Sequence, residues 1–521
     1  MKKTKVFALL LLPVFLLLSC TPDASPGGPS PSPDDTASPS PSPEDASPSP
    51  AAPPLILTAP GAGFDFGDPP PPVFANAGVH DPSLFYGDGW YYVIGSHLAS
   101  AKTQDFMQWI QLSTDTRPGN ALVPDPQTEF ADAFAFAETT TLWASDVQQM
   151  PCGRWFMYYC VCIGHMPLGA IGLAIADHPE GPYADQGMFI RSMATPPEGG
   201  RYDATIHPNA IDPHVFFCND GDFWMVYGSY SGGIFILSMD PVSGLPYLGQ
   251  ENLGYGRKLL GGHHSRIEGP YIQYSPHTGY YYLFLTFGGL DAAGGYNMRI
   301  ARSKDVMGPY FDARGQNMID CRGPHGSFFD DRAIEPYGTK IMGGYQFRRE
   351  EGEPGRTTGH LSPGHNSTYY CAETDRYFLI FHTRFTDRGE AHEVRVHEMF
   401  MNANGWFVVS PFRFDNGTVR SFTSEQLTGS WKLIDHEQDI NTRPKISTTV
   451  NFLPDGTVGG PMSGSWQLGA DGKTALITID GVLYTGVFLR SWDNDHSMWV
   501  QAFTAMSDEG IALWGAGAAL K

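Results

Sequence analysis

The sequence predicts an all-β protein: a five-bladed β-propeller followed by a small C-terminal β-barrel. Three observations carry this. A multi-strand unit of apolar and aromatic runs recurs five times between about residues 73 and 420. No helical pattern of 10–15 residues separates the units. After about residue 424 the pattern changes to alternating strands joined by hairpin turns such as "LPDG" and "ADGK", which suits a small closed barrel.

The chain of 521 residues opens with "MKKTKVFALLLLPVFLLLSC". A basic start and a short apolar run predict a signal peptide over 1–20, because a spanning helix needs about 20 apolar residues. The ending Leu-Leu-Ser-Cys is similar to a bacterial lipobox. It predicts that Cys20 is lipidated and holds the protein on the outer surface of the cell membrane. Residues 21–54 are rich in Pro, Ser and Asp and nearly free of apolar side chains. Such a segment cannot repay the entropy of folding. It predicts a disordered tether, with a reach on the order of 100 Å at the spacing of extended Pro-rich chain.

The propeller domain is expected over 55–423. Its units start at Asp81, Asp146, Asp212, Glu268 and Asn366, spaced 65, 66, 56 and 98 residues apart. The first reads "HDPSLFYGDGWYYVIGSH", the third "AIDPHVFFCNDGDFWMVYGSYSGG". Each has a polar residue, an apolar strand, a Gly/Asp turn and an aromatic strand. Repeated units of this kind close radially into blades, with their first strands around a central channel. A polar residue at each unit start would then face one axial pocket. The barrel is expected over 424–521, and its Gly-x-Trp opening, Gly429 to Trp431, looks lipocalin-like.

Three carboxylates sit at unit starts beside proline: Asp81-Pro82, Asp212-Pro213 and Glu268-Gly269-Pro270. Proline donates no ladder hydrogen bond and so belongs at a strand's first residue, which fixes each acid at a strand mouth. Like charges packed together push their pKa values apart. One acid stays ionised while another stays protonated, the pair glycoside hydrolysis requires.

Composition narrows the partners. A formal net charge of -22 excludes a nucleic-acid surface and disfavours an anionic polysaccharide. A neutral sugar polymer is compatible, with 13% aromatic residues available for stacking. Six cysteines besides Cys20 show no metal-binding spacing. Cys160 and Cys162 lie two apart on a predicted strand and are expected to be buried free thiols.

The motifs "HDPSLF", "LWASDV", "AIDPHVFF", "SRIEGPYI" and "SPGHNSTYY" resemble glycoside hydrolases of family 43, in particular the extracellular endo-1,5-α-L-arabinanases. The resemblance spans about 76–420, and the C-terminal meander is similar to the extra barrel of larger members. It implies inverting hydrolysis of internal α-1,5-L-arabinofuranosidic bonds in arabinan, by a monomer that meets the membrane only through its lipid anchor. Asp81 would be the general base and Glu268 the general acid. Asp212 would raise the acid's pKa and orient it. Inversion expects the two carboxyls about 6.5–9.5 Å apart. His365 matches the histidine that helps hold a channel metal, usually Ca2+. Substrate contacts would come from Trp143, Gly164, Asn209, Ile211, Ser229, Tyr230, Ser231 and Arg384. One departure is Ser145 in "LWASDV", where the family usually shows proline. Alternatives are an exo-acting α-L-arabinofuranosidase or β-xylosidase of the same family, or a surface lipoprotein that captures glycans without cutting them. Retention of all three acids favours catalysis.

Overall fold

A computed structural model of the chain describes residues 69–193, 199–417 and 419–518. The predicted leader, Cys20 and the tether lie outside them. Five antiparallel sheets arise in chain order, one from each repeat. Blade 1 runs Ser83–Gly87, Trp90–Ile94, Ser100–Thr103 and Ile110–Ser113. Blades 2, 3 and 4 begin at Asp146–Gln149, His214–Phe217 and Ile267–Ser275, and the core of blade 5 at His360–Cys371. These first strands pack side by side in cyclic order, the fifth returning to the first. The ring is also stitched where the Val394 amide of blade 5 donates to Ala77 O at 2.9 Å.

Local chemistry explains the blades. In the first hairpin Gly87 pairs with Trp90, leaving Asp88 and Gly89 with φ of 50° and 82°. Two positive φ values in a two-residue loop make the turn whose twist matches the strands, and an Asp-Gly pair tolerates both. The second strand of blade 2, Trp155–Cys162, is buried at every position because neighbouring blades cover both its faces. Its outer strand, Ala184–Arg191, is largely open to solvent. That contrast explains why inner strands read as unbroken apolar runs. All six described cysteines are free, Cys160 and Cys162 among the buried ones.

The 98-residue step from the fourth unit to the fifth comes mainly from an insertion at 304–338, between blade 4's third strand, Asn297–Ser303, and its fourth, Thr339–Met342. Among the described residues helix is confined to short pieces, such as Pro126–Glu129 and Ala131–Phe136 between blades 1 and 2.

Eight strands from Gly429–Asp435 to Ala512–Gly517 close into the C-terminal barrel. Trp431, Phe452, Trp466, Phe488 and Phe503 fill its interior. The barrel is tied firmly to the propeller. Tyr345–Gln346, at the edge of blade 5, pairs with the barrel-side strand Lys445–Ile446. Lys432 Nζ lies 3.0 Å from both carboxylate oxygens of Glu353, with both side chains buried. Lys340 Nζ donates to His436 O and Asp439 O at 2.7 Å. A packed interior and this seam hold the barrel against the propeller.

Candidate active site

The acids stand where the repeat places them, at the channel ends of the first strands of blades 1, 3 and 4, and all three are buried. Their backbone is unusual. Asp81 and Asp212 have φ of 58° and 57°, Gly269 after Glu268 has 58°, and His365 at the mouth of blade 5 has 46°. The left-handed region is sparsely used outside glycine, and aspartate is among the few residues that tolerate it. A residue before proline would ordinarily be extended. Strain of this kind, about 1–3 kcal/mol per residue, persists where surrounding structure holds a functional group in place.

Three groups close on the Asp81 carboxylate, while its backbone amide donates to His382 Nδ1 at 3.1 Å. Ser96 Oγ donates to Oδ2 at 2.5 Å, and His80 Nδ1 lies 2.8 Å from the same oxygen. His365 Nδ1 lies 3.0 Å from Oδ1. Arg384 Nη2 reaches His80 Nε2 at 3.1 Å. A guanidinium only donates, so His80 Nε2 must accept, and the ring's proton sits on Nδ1, aimed at Asp81. Burial by itself would raise the Asp81 pKa. The charge on His365 and the N–H groups that His365 and His80 turn to it overcome burial and hold the carboxyl well below the usual range. Asp81 is ionised at any physiological pH.

Glu268 has the opposite setting. Burial lifts its pKa to about 8, and the charge on Asp212 adds to this, against a smaller downward pull from the Ser229 hydrogen bond. Ser229 Oγ donates to Oε2 at 2.7 Å, and the Tyr296 hydroxyl donates to Oε1. Asp212 is itself lifted to about 6, first by burial, with His365 pulling down and Asp81 pushing up. The Gly269 amide donates to Asp212 Oδ2 at 3.3 Å, so one strand mouth links the acid to its neighbour. The site thus pairs an ionised carboxylate with a protonated one.

His365 packs its ring against Gly269, where an added Cβ would come within 3.0 Å of the imidazole. Burial opposes its charge, but Asp81 and Asp212 hold its pKa up at about 9. Both amide atoms of Asn366, the next residue, are buried without a hydrogen-bond partner among the described residues. Metal binding displaces a ring proton such as that of His365, and the ring nitrogen, the ionised carboxylate and the unpartnered amide are then groups a cation can take, with waters completing its shell. His80, Asp81 and His382 also cluster with ligand atoms within 4.8 Å of one another. There the fit is poor: Arg384 already brings a positive charge to both rings.

The remaining sequence-predicted residues divide by position. Trp143 is half-buried, lying over Gly164, where a Cβ would meet the indole at 3.2 Å. Gly164 also has φ of 88°, so space and backbone both require glycine there. Asn209 is buried and accepts from Ser192 Oγ at 3.3 Å. Ile211 lies in the apolar core between blades 2 and 3. Tyr230 donates its hydroxyl to Gly288 O at 3.0 Å, and Ser231 is buried beside it. Arg384 is 3% exposed and pairs with Glu390 as well as the histidines. Asp146 is structural: it accepts from Ser83 Oγ at 2.5 Å and from the Val215 amide at 2.7 Å, stitching blades 1, 2 and 3.

Sequence reasoning missed His80, Ser96, Tyr296 and His382. His80 adjoins Asp81 in "HDPS", and His382 shares the strand face of Arg384 in "FHTRF"; both had a local signal. Tyr296 had none, since it meets Glu268 from the turn leading into another strand of blade 4.

A family model described as glycosyl hydrolases family 43 matches residues 71–332, and one for a C-terminal lipocalin-like domain matches 411–515. The extracellular endo-α-(1→5)-L-arabinanase 2 of Bacillus subtilis is 52% identical over 447 residues, 85% of this chain and 94% of the relative. The corresponding Thermotoga petrophila enzyme is 42% identical over 454 residues, again 85% and 94%. A crystal structure of a family 43 glycoside hydrolase from Bacillus licheniformis superposes with a TM-score of 0.82 at 49% identity, covering 86% of this chain and 99% of that one.

Proposed function

The chain belongs to glycosyl hydrolase family 43, and from that premise we propose that it is an extracellular endo-1,5-α-L-arabinanase that inverts configuration. The observation that carries the chemistry is the opposed setting of two buried carboxyls, Asp81 held low and Glu268 held high. Endo action on arabinan is supported by the names of its high-identity relatives.

Asp81 accepts a proton from water as the water oxygen bonds to the anomeric carbon. Glu268 donates its proton to the glycosidic oxygen as the carbon–oxygen bond breaks, and the chain leaves as an alcohol. Turnover leaves Asp81 protonated and Glu268 ionised, and exchange with solvent restores both. Asp212 keeps Glu268 protonated by its charge. Ser229 and Tyr296 fix the acid's two oxygens. His80, held by Arg384, orients the base. Trp143 offers a stacking face to a sugar ring, with Asn209 and Ser231 beside the cleft.

His365, with Asp81 and Asn366 beside it, would hold a calcium ion in the channel. When bound, that ion would supply positive charge next to the carboxylates. At the other end of the chain, lipidation of Cys20 would anchor the protein outside the cell, with residues 21–54 as tether.

The test is incubation of the protein with linear arabinan beside arabinoxylan, with Glu268→Gln as control. A ladder of short arabino-oligosaccharides, absent in the control, is expected. Release of arabinose or xylose alone would replace the reading with an exo-enzyme. Binding without any product would replace it with glycan capture.

A further inference from the structure

Part of the insertion in blade 4, Gly323 to Asp331, folds back to the channel rim beside the general acid. Its anchors all lie in the run leading into Glu268. The Gly323 amide donates to Ser265 Oγ at 2.9 Å. His263 Nδ1 bonds Gly323 O at 2.8 Å. Arg266 Nε donates to Asp331 Oδ1 at 2.9 Å. On this footing stand two large apolar side chains turned to solvent, Phe328 at 66% and Phe329 at 43% exposure. Their rings stack with centroids 4.1 Å apart and planes 29° apart, and the His264 ring extends the surface 5.1 Å from Phe328.

This platform is continuous with the catalytic site. Phe329 meets the Tyr230 ring edge-on at 5.4 Å, and Tyr230 follows Ser229, the serine bonded to Glu268. The backbone is held against its preference to keep it so: Phe329, His264 and Tyr230 have φ of 56°, 58° and 47°, a region disfavoured for bulky side chains. A phenylalanine that served only the fold would be turned inward. An exposed aromatic pair on the rim of a cleft marks a place where something binds.

We propose that Phe328 and Phe329 form a stacking subsite for an arabinofuranose unit of the polymer, on the leaving-group side of the scissile bond. The inference rests on the arabinanase reading. The side follows from the roles: Glu268 must reach the glycosidic oxygen, so the ground beyond it, away from Asp81 on blade 1, is where the departing chain runs. The ligand class follows from chemistry, since a furanose presents C–H faces to aromatic rings and carries no charge to be repelled by an acidic protein.

The test compares kcat/KM on arabinotriose, which places at most two units on the leaving-group side, with kcat/KM on arabinohexaose and linear arabinan. In Phe328→Ala/Phe329→Ala we expect about a tenfold loss on the two long substrates, mostly in KM, and less than a twofold change on the trisaccharide. Phe328→Trp should keep the wild-type preference for long chains. Thermal melting of each variant shows that it is folded. Equal losses on short and long substrates, or no loss on either, would overturn the subsite while leaving the arabinanase reading intact. A wild-type protein inactive on all three would overturn that reading and the subsite with it.

Discussion

Asp81 Oδ1 and His365 Nδ1 stand 3.0 Å apart, one from blade 1 and the other from blade 5. The contact joins residues far apart in sequence where the last blade meets the first. With His80 on the other oxygen, it settles which carboxyl in the channel carries the charge.

Activity requires Asp81 ionised and Glu268 protonated, so kcat/KM should fall on the alkaline side as Glu268 loses its proton near pH 8. Asp212→Asn removes a negative charge that favours the protonated acid, so the alkaline limb should move to lower pH. Ser229→Ala removes a hydrogen bond that favours the ionised acid, so the limb should move to higher pH. Opposite displacements in pH–rate profiles of the two variants are the expected outcome. Displacement in the same direction would show that another group sets the limb.

His80→Ala removes a donor from Asp81 and releases the hold of Arg384. The Asp81 pKa should rise, because a partner of its charged form is gone. The acidic limb should therefore move up in pH, with kcat down by about 10–100-fold, the range lost when an orienting partner is removed. A loss confined to KM would place His80 on the substrate instead.

Glu268→Gln should abolish turnover yet stabilise the fold. A carboxyl raised to about 8 in the folded state and near 4.3 unfolded loses stability as pH rises through that window, and nothing below it. At pH 7 the neutral glutamine should gain on the order of 3–4 kcal/mol. At pH 4 it should gain almost nothing. Denaturant titrations at both pH values check the sign.

Chelation should lower both activity and melting temperature, and added Ca2+ should restore them. His365→Ala should show no response to chelator. A response that persists in this variant would place the ion elsewhere.

Lys432→Ala takes the cation away from the buried Glu353 carboxylate, whose oxygens it holds at 3.0 Å. Lys432→Ala should cost about 3–5 kcal/mol, whereas the paired change Lys432→Met/Glu353→Leu should recover most of it. Chemical denaturation of the three proteins decides this, and an equal cost in the double variant would contradict it.

Much of the architecture was legible because strand repeats are local. Period-two patterning, Asp-Gly turns and proline beside each acid are written within a few residues, so the five blades, the barrel and the three carboxylates at their strand mouths could be read from the chain. His365 and Trp143 were legible only through motif resemblance. What tertiary structure alone decided is the state of those groups. His365 comes from blade 5, Ser229 from blade 3 and Tyr296 from beyond another strand of Glu268's own blade. Only the folded ring brings these groups to Asp81 and Glu268, turns the neighbouring His80 onto Asp81, and removes water from around them. Burial and partner charge set a pKa, and both are sums over neighbours that chain order does not specify. The aromatic rim has the same origin: nothing in "GSFFDD" alone places it at the channel, and the anchoring of Gly323 and Asp331 beside Glu268 does so.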